Sequence, residues 1–290
     1  MIPIVDVDIK EKEVQAVQEV VKSKHLVEGK HARAFEQKFS EFTGTKYVST
    51  VVNGTCALHL ALAALGIGPK DEVLTTPYTF VASSNSILFT GAIPIFVDID
   101  PETYNIDPEK IEDSITEKTR AVMPVHIFGN PCDMRAIKDI AEDRNILVIE
   151  DCAQAHGAAI EGKHVGNFSD VAGYSFYGTK NLIGGEGGAI STNNEELFEK
   201  IKSIKNHGRS PAGGYAHYLI GYNYRMTDMT AAIMNVQMDR AEEILSKRHY
   251  NGDKYRELLS NSEDIHLQKI LPGHQHSDYI MAPLIRKEEV

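Results

Sequence analysis

Tyr174-Ser175-Phe176-Tyr177-Gly178-Thr179-Lys180-Asn181-Leu182 stands just before the glycine-rich run Gly184-Gly185-Glu186-Gly187-Gly188. Val171 to Phe176 reads as a short buried strand, so Lys180 is expected beyond a strand end, beside a glycine-permissive loop. Upstream, Val148-Ile149-Glu150-Asp151-Cys152-Ala153-Gln154 is an apolar strand that closes on a carboxylate. A lysine and a carboxylate at neighbouring strand ends suit pyridoxal 5'-phosphate. The amine forms a Schiff base with the aldehyde, and the acid keeps the pyridine nitrogen protonated so that the ring can accept electrons. The same residues taken singly have plainer readings: a solvated loop lysine, and an aspartate that caps a helix or binds a metal.

Outward from this stretch the chain alternates short apolar runs with helical periodicity. Helices are expected over Lys10–Lys22, Ala32–Phe42, Cys56–Leu65, Phe80–Phe89, Pro108–Ile115 and Cys132–Glu142. Strands are expected over Tyr47–Val52, Glu72–Thr75, Ile93–Val97, Ala121–Val125 and Ile146–Ile149. That order implies an α/β fold with a large, mostly parallel sheet flanked by helices on both faces. A strand at Gly188–Thr192, a helix at Glu195–Lys205 and a long helix from Asp228 to Arg248 follow. Residues 1–248 are read as the large domain, with its N-terminal helices. Residues 249–290 are read as the start of a smaller, incomplete C-terminal α/β domain whose first strand is Tyr279–Leu284.

The chain has 290 residues, 42% hydrophobic and 24% charged, with a formal charge of −11. That balance argues against a nucleic-acid or membrane-surface partner, although a local site can still bind an anion. Cys56, Cys132 and Cys152 are scattered and odd in number, which fits neither a disulfide framework nor a zinc site. No metal is expected. No apolar window approaches the roughly 18 residues of a membrane span, and the N-terminus has no leader pattern, so a cytoplasmic protein is expected.

Other segments add candidates. Asn53-Gly54-Thr55 joins a strand to a helix, where N–H groups and a hydroxyl can cradle a phosphate; the same turn also serves as a plain N-cap. Ser175 could add a second hydroxyl, or be an ordinary buried serine. Phe80 could stack on a planar ring or fill the core. Gln154 could donate to a phenolate oxygen or lie on a helix surface. In Gly221-Tyr222-Asn223-Tyr224-Arg225-Met226-Thr227-Asp228, Thr227 or Asp228 caps the next helix, while Asn223 and Arg225 could reach a phosphate, even across a subunit boundary.

Together these segments resemble the DegT/StrS family of nucleotide-sugar aminotransferases, of PLP-dependent transferase fold type I. The resemblance is carried by Asn53-Gly54-Thr55-Cys56-Ala57-Leu58-His59, Gly91-Ala92-Ile93-Pro94-Ile95-Phe96-Val97-Asp98 and Pro124-Val125-His126-Ile127-Phe128-Gly129. It continues through Glu150-Asp151-Cys152-Ala153-Gln154-Ala155-His156-Gly157, Ser175-Phe176-Tyr177-Gly178-Thr179-Lys180-Asn181 and Glu186-Gly187-Gly188. Because many segments agree in order, it is specific, and it leans to the GDP-perosamine synthase-like branch.

The resemblance implies that Lys180 is the Schiff-base lysine and proton carrier, and that Asp151 pairs with the pyridine nitrogen. It implies Gln154 at the phenolate oxygen and Phe80 against the ring. Gly54, Thr55, Cys56 and Ser175 would hold the phosphate, and Asn223 would reach in from the partner of a homodimer. The implied reaction moves an amino group from L-glutamate to a keto-sugar carried on a nucleoside diphosphate, for amino-sugar or surface-polysaccharide biosynthesis. Two alternatives share the fold: a sugar dehydratase, whose branch carries His in place of the lysine, and a non-catalytic regulatory protein. Family members are longer at the C-terminus, so the sequence is expected to be truncated.

Overall fold

The computed structural model describes residues 6–210 and 214–285. In chain order these form α1 (Glu11–Ser23), α2 (Lys30–Thr43), β1 (Tyr47–Val51), α3 (Gly54–Leu65), β2 (Glu72–Thr75), α4 (Ala82–Phe89), β3 (Ile93–Phe96), α5 (Pro108–Ser114), β4 (Thr119–Met123), α6 (Met134–Arg144) and β5 (Leu147–Asp151). There follow β6 (Ala159–Ile160), β7 (Lys163–His164), β8 (Val171–Ser175), β9 (Gly188–Thr192), α7 (Glu195–Lys205), α8 (Asp228–Asp239), α9 (Ala241–Leu259), β10 (Ile265–His266), β11 (His274–Gln275) and β12 (Leu284–Ile285).

The central sheet has seven strands in the order β1-β9-β8-β5-β4-β2-β3. From β8 to β3 every pairing is parallel. β9 is antiparallel to both neighbours, so β1 again points the same way as β8. The period-two alternation of the strands sorts side chains onto two helix-covered faces. Val73, Ala121, Met123, Ile149 and Val171 pack with α3 and with Leu197, Ile201 and Ile204 of α7. Their neighbours on the opposite face divide into two groups. Leu74, Val122 and Val148 meet α5 and α6. Ala172, Tyr174 and Ala189 meet α2 and α8. Every residue of β8 is buried, as expected of a strand covered on both faces.

Two sequence expectations need correction. The helix expected as one piece from Asp228 to Arg248 is broken at Arg240 (φ −109°, ψ 7°) and resumes to Leu259. There the Arg240 guanidinium donates to the buried Glu13 of α1 at 2.8 Å and to Asp8. Hydrophobic periodicity registers no such polar tether. The strand expected over Tyr279–Leu284 is reduced to Leu284–Ile285, paired with β10. The chain before it is drawn into side-chain bonds instead of a ladder. Asp278 accepts from Arg256 at 2.7 and 3.2 Å and lies 2.9 Å from His249 Nδ1. Arg256 and His249 belong to α9, and Gly252 of the same helix makes room: a Cβ there would lie 2.3 Å from Asp278 Oδ1.

The choice of cap between Thr227 and Asp228 also resolves. Thr227 Oγ1 caps α8 by accepting from Thr230 N–H. Asp228 looks away and caps α2, accepting from the N–H groups of Gly29 (2.7 Å), Ala32 (3.1 Å) and His31 (3.3 Å). A carboxylate suits that place because the helix N-terminus is electropositive and its N–H groups have no partner within the helix.

Asp228→Ala is expected to lower unfolding stability by about 1–3 kcal/mol, measured by urea denaturation, because it strands three N–H groups. A second expectation concerns acid. Burial acts to raise the Asp278 carboxyl, but bonds from His249, His276 and Arg256 hold it far below the usual carboxylate range. A depressed folded-state value adds stability above the unfolded carboxylate value of about 4, and that stability drains as pH falls further. The protection of the Asp278 amide, which donates to His276 Nδ1, should therefore fall below about pH 4 relative to the intrinsic exchange rate at each pH, and Asp278→Asn should flatten that dependence.

Candidate active site

Because β1, β2, β5 and β8 run the same way, the segments following them gather on one edge of the sheet. β9, running back, begins on that edge at Gly188. This is where open α/β sheets place ligands. The edge holds a cavity of about 630 Å³ whose lining includes Gly54, Thr55, Phe80, Asp151, Gln154, Ser175 and Lys180. Residues more than a hundred positions apart in sequence are thus brought together, as the sequence reading required.

Glu150 and Asp151 are adjacent on β5, buried, and differently treated. Glu150 accepts from Gly166 N–H (2.7 Å), Ser169 Oγ (2.7 Å), Phe168 N–H (3.0 Å) and His126 Nε2 (3.1 Å). His126 Nδ1 accepts from Cys132 N–H, which leaves its Nε2–H as the donor to Glu150. Burial acts to raise the Glu150 carboxyl, and these bonds overcome it, so it lies below the usual range. Asp151 has only two donors, Ser83 Oγ at 2.8 Å and Ala153 N–H at 3.1 Å, and no ion pair among the described residues. Burial prevails there and pushes its carboxyl up. Two neighbouring acids are pushed apart by environment. Glu150 is a satisfied tie between β5 and the chain around residues 166–169; Asp151 faces the cavity with acceptor capacity to spare.

Lys180 lies past β8, in a turn closed by its own N–H donating to Tyr177 C=O at 2.8 Å. Its Nζ sits 4.5 Å from the centre of the Tyr279 ring, a cation–π contact. The Tyr279 hydroxyl is 3.1 Å from Thr179 Oγ1. Tyr279 follows Asp278, so the ion pair that anchors that segment on α9 also sets the wall beside the lysine. Below, His156 stacks on Phe176 with ring centres 4.6 Å apart. Burial holds its imidazole well below the usual histidine range, so it acts as packing.

The anion end is built by α3. Asn53 Oδ1 accepts from Cys56 N–H at 2.9 Å, and Asn53 C=O accepts from Ala57 N–H. The N–H groups of Gly54 and Thr55 have no acceptor within the helix. The backbone comes close here: a Cβ on Gly54 would lie 2.6 Å from Ser175 Cβ. Cys56, expected among the phosphate ligands through its N–H, has that N–H engaged by Asn53 and does not line the cavity. Burial pushes its thiol up to about 11, so it remains an uncharged thiol at neutral pH.

Phe80 presents its ring to the cavity with 70% of its surface exposed. Gln154 Oε1 accepts from Phe128 N–H at 2.8 Å, which leaves the amide NH₂ as its donor end. Asn223 is not brought to this cavity. It is exposed and bridges Asn206 in the segment before α8.

The donor set fits pyridoxal phosphate: an amine, a desolvated carboxylate without a cation, a helix N-terminus with a hydroxyl beside it, and an exposed aromatic face. Ser83, Thr79, Glu186 and Tyr279 also line the cavity and were missed in the sequence. A signal existed for two of them, since Thr79, Ser83 and Ser86 repeat at helical spacing. Tyr279 offered no signal, because only tertiary folding takes it to Lys180.

Residues 7–290 match the profile of the DegT/DnrJ/EryC1/StrS aminotransferase family. The chain is 42% identical over 266 residues to GDP-perosamine synthase of Escherichia coli O157:H7, an overlap that spans 91% of this chain and 73% of that protein. It superposes on S. venezuelae DesV, solved in complex with a ketimine intermediate, with a TM-score of 0.95 at 32% identity, covering 99% of this chain and 79% of that one. A Streptococcus pneumoniae protein solved in its PLP form gives a TM-score of 0.93 at 28% identity, covering 98% and 78%. The chain therefore belongs to the DegT/DnrJ/EryC1/StrS aminotransferase family and is a sugar aminotransferase, a membership that implies pyridoxal phosphate as its cofactor.

Proposed function

We propose that this aminotransferase takes its amino group from L-glutamate and places it on the keto carbon of a nucleoside-diphosphate 4-keto-6-deoxyhexose. The observation that carries the reading is the meeting of Lys180, Asp151 and the α3 N-terminus in one cavity. The choice of a 4-keto sugar rests on the similarity to GDP-perosamine synthase.

When bound, pyridoxal phosphate supplies an aldehyde that captures amines and a ring that takes up electrons from the carbon being deprotonated. Lys180 Nζ would bond that aldehyde and, once released, carry the proton at the donor's α-carbon. Asp151 would hold a proton at the pyridine nitrogen; an adjoining positive charge favours its ionised form and offsets its burial. The N–H groups of Gly54 and Thr55, with the Thr55 and Ser175 hydroxyls, would hold the phosphate. Phe80 would cover one face of the ring, and the Gln154 amide would donate to the phenolate oxygen.

The proposed working unit is a homodimer with shared sites, to which Asn223 contributes from the second copy. Two features support this. Asn223 is exposed and outside its own chain's cavity. Phe80, Val81, Leu88, Phe89, Ile93 and Phe96 are all large apolar side chains left exposed on and around α4 and β3. The family's alternative roles have less support here, since the dehydratase branch lacks the lysine that Lys180 provides.

Purified protein with pyridoxal phosphate should show a visible absorbance band that L-glutamate bleaches, and mass spectrometry should then detect amination of a nucleotide 4-keto-6-deoxyhexose. A band that glutamate leaves unchanged would overturn the glutamate reading. Lys180→Ala is expected to lose the band and at least about 10³-fold in activity, with circular dichroism unchanged. Asp151→Asn is expected to retain bound cofactor while kcat falls on the order of 10²–10³-fold, and an unchanged rate would remove Asp151 from its role.

A further inference from the structure

Ser83 is not used by the reaction as described, yet it is buried against the one acid that is. We propose that Ser83 is a positioning residue for Asp151, the middle of a directed chain from the cavity-lining Thr79 hydroxyl through Ser83 Oγ to Asp151 Oδ2. The inference rests on the reading of Asp151 as the group facing the cofactor nitrogen.

The direction of the chain follows from donor inventory. An ionised carboxylate only accepts, so the 2.8 Å contact between Ser83 Oγ and Asp151 Oδ2 uses the serine's single proton. Thr79 Oγ1, 2.9 Å from Ser83 Oγ, must then donate to it. The alternative acceptor for the serine, the Phe80 carbonyl, is farther at 3.3 Å. Ser83 is 1% exposed and Asp151 4%, so no water competes freely for these bonds. Ala153 N–H holds Oδ1, so the two donors together fix the carboxylate plane.

The charges around Asp151 make this bond matter. Lys180, beyond β8, and His126, beyond β4, both favour its ionised form. Glu150 is its neighbour on β5, and Cys132 and Cys152 are buried thiols whose own titration is pushed well up. α4 carries no charged residue between Ala82 and Phe89, so its influence on Asp151 passes through the Ser83 hydroxyl. Thr79, Phe80 and Ser83 belong to one turn, and the ring-facing aromatic and the acid's support therefore move together.

The test is a titration of the Asp151 carboxyl by ¹³C NMR in the full chain without cofactor, the resonance being assigned by its loss in Asp151→Asn. Removal of a hydrogen bond to a charged group should raise the Asp151 midpoint by about one pH unit in Ser83→Ala. Ser83→Thr should restore it, and Thr79→Val should give a smaller rise. An unmoved midpoint in folded Ser83→Ala, or a shift that Ser83→Thr fails to reverse, would overturn the proposal. The holoenzyme separates this from the functional reading. The acidic limb of its kcat–pH profile should rise with the midpoint; a moved midpoint with an unmoved profile would uphold the Ser83 chain and reject Asp151 as the partner of the cofactor nitrogen.

Discussion

A carboxylate buried with too few donors is the constraint on which the site depends. Asp151 ends the central parallel strand of the sheet with two neutral hydrogen bonds and no ion pair among the described residues. Isolated burial of a charge is costly, and groups so placed usually neutralise or find a partner. Next to it, Glu150 shows what full satisfaction looks like on the same strand: four donors, two of them backbone N–H groups beyond the reach of mutation. The contrast makes Asp151 the residue with unspent acceptor capacity, turned toward a cavity with a lysine in its wall.

The rest of the architecture supplies what that acid requires. Parallel strands deliver α3, the α4 turn and the Lys180 turn to the same edge. The antiparallel return of β9 brings Gly188 beside them, where a Cβ would lie 2.3 Å from the Asn53 carbonyl. Close backbone approach at Gly54 and Gly188 leaves the helix N-terminus bare. From the other side, the segment after α9 is pinned by Asp278 and sets Tyr279 over the lysine. The wall of the site thus draws on residues from Asn53 to Ile280.

Much of this was legible in the sequence because it is local. Strand–helix alternation follows from apolar periodicity, and Lys180, Asp151, Gly54 and Phe80 stood out as candidates by their chemistry near strand ends, beside plainer readings of each. What was illegible depends on pairings that periodicity does not encode. Arg240 breaks an otherwise helical run because its partner is Glu13, far away in sequence. Asp278 withdraws the chain from strand pairing because two side chains and a glycine of α9 receive it. The Cys56 N–H, to which the resemblance gives a phosphate, donates instead to the Asn53 side chain. In each case a polar group chose a distant or unexpected partner over the local pattern.

The Asp228 cap has a consequence for the order of events in biosynthesis. The N-terminus of α2 waits for an acceptor that lies 199 residues downstream of Gly29. At a synthesis rate of roughly 5–20 residues per second, that acceptor follows by about 10–40 s. Until then the apolar face of α2, with Phe35 and Phe39, has neither its cap nor the α8 surface that covers it. The nascent chain spends that interval with a greasy helix uncovered, the kind of exposure that chaperones shield, and closes its first helices among its last.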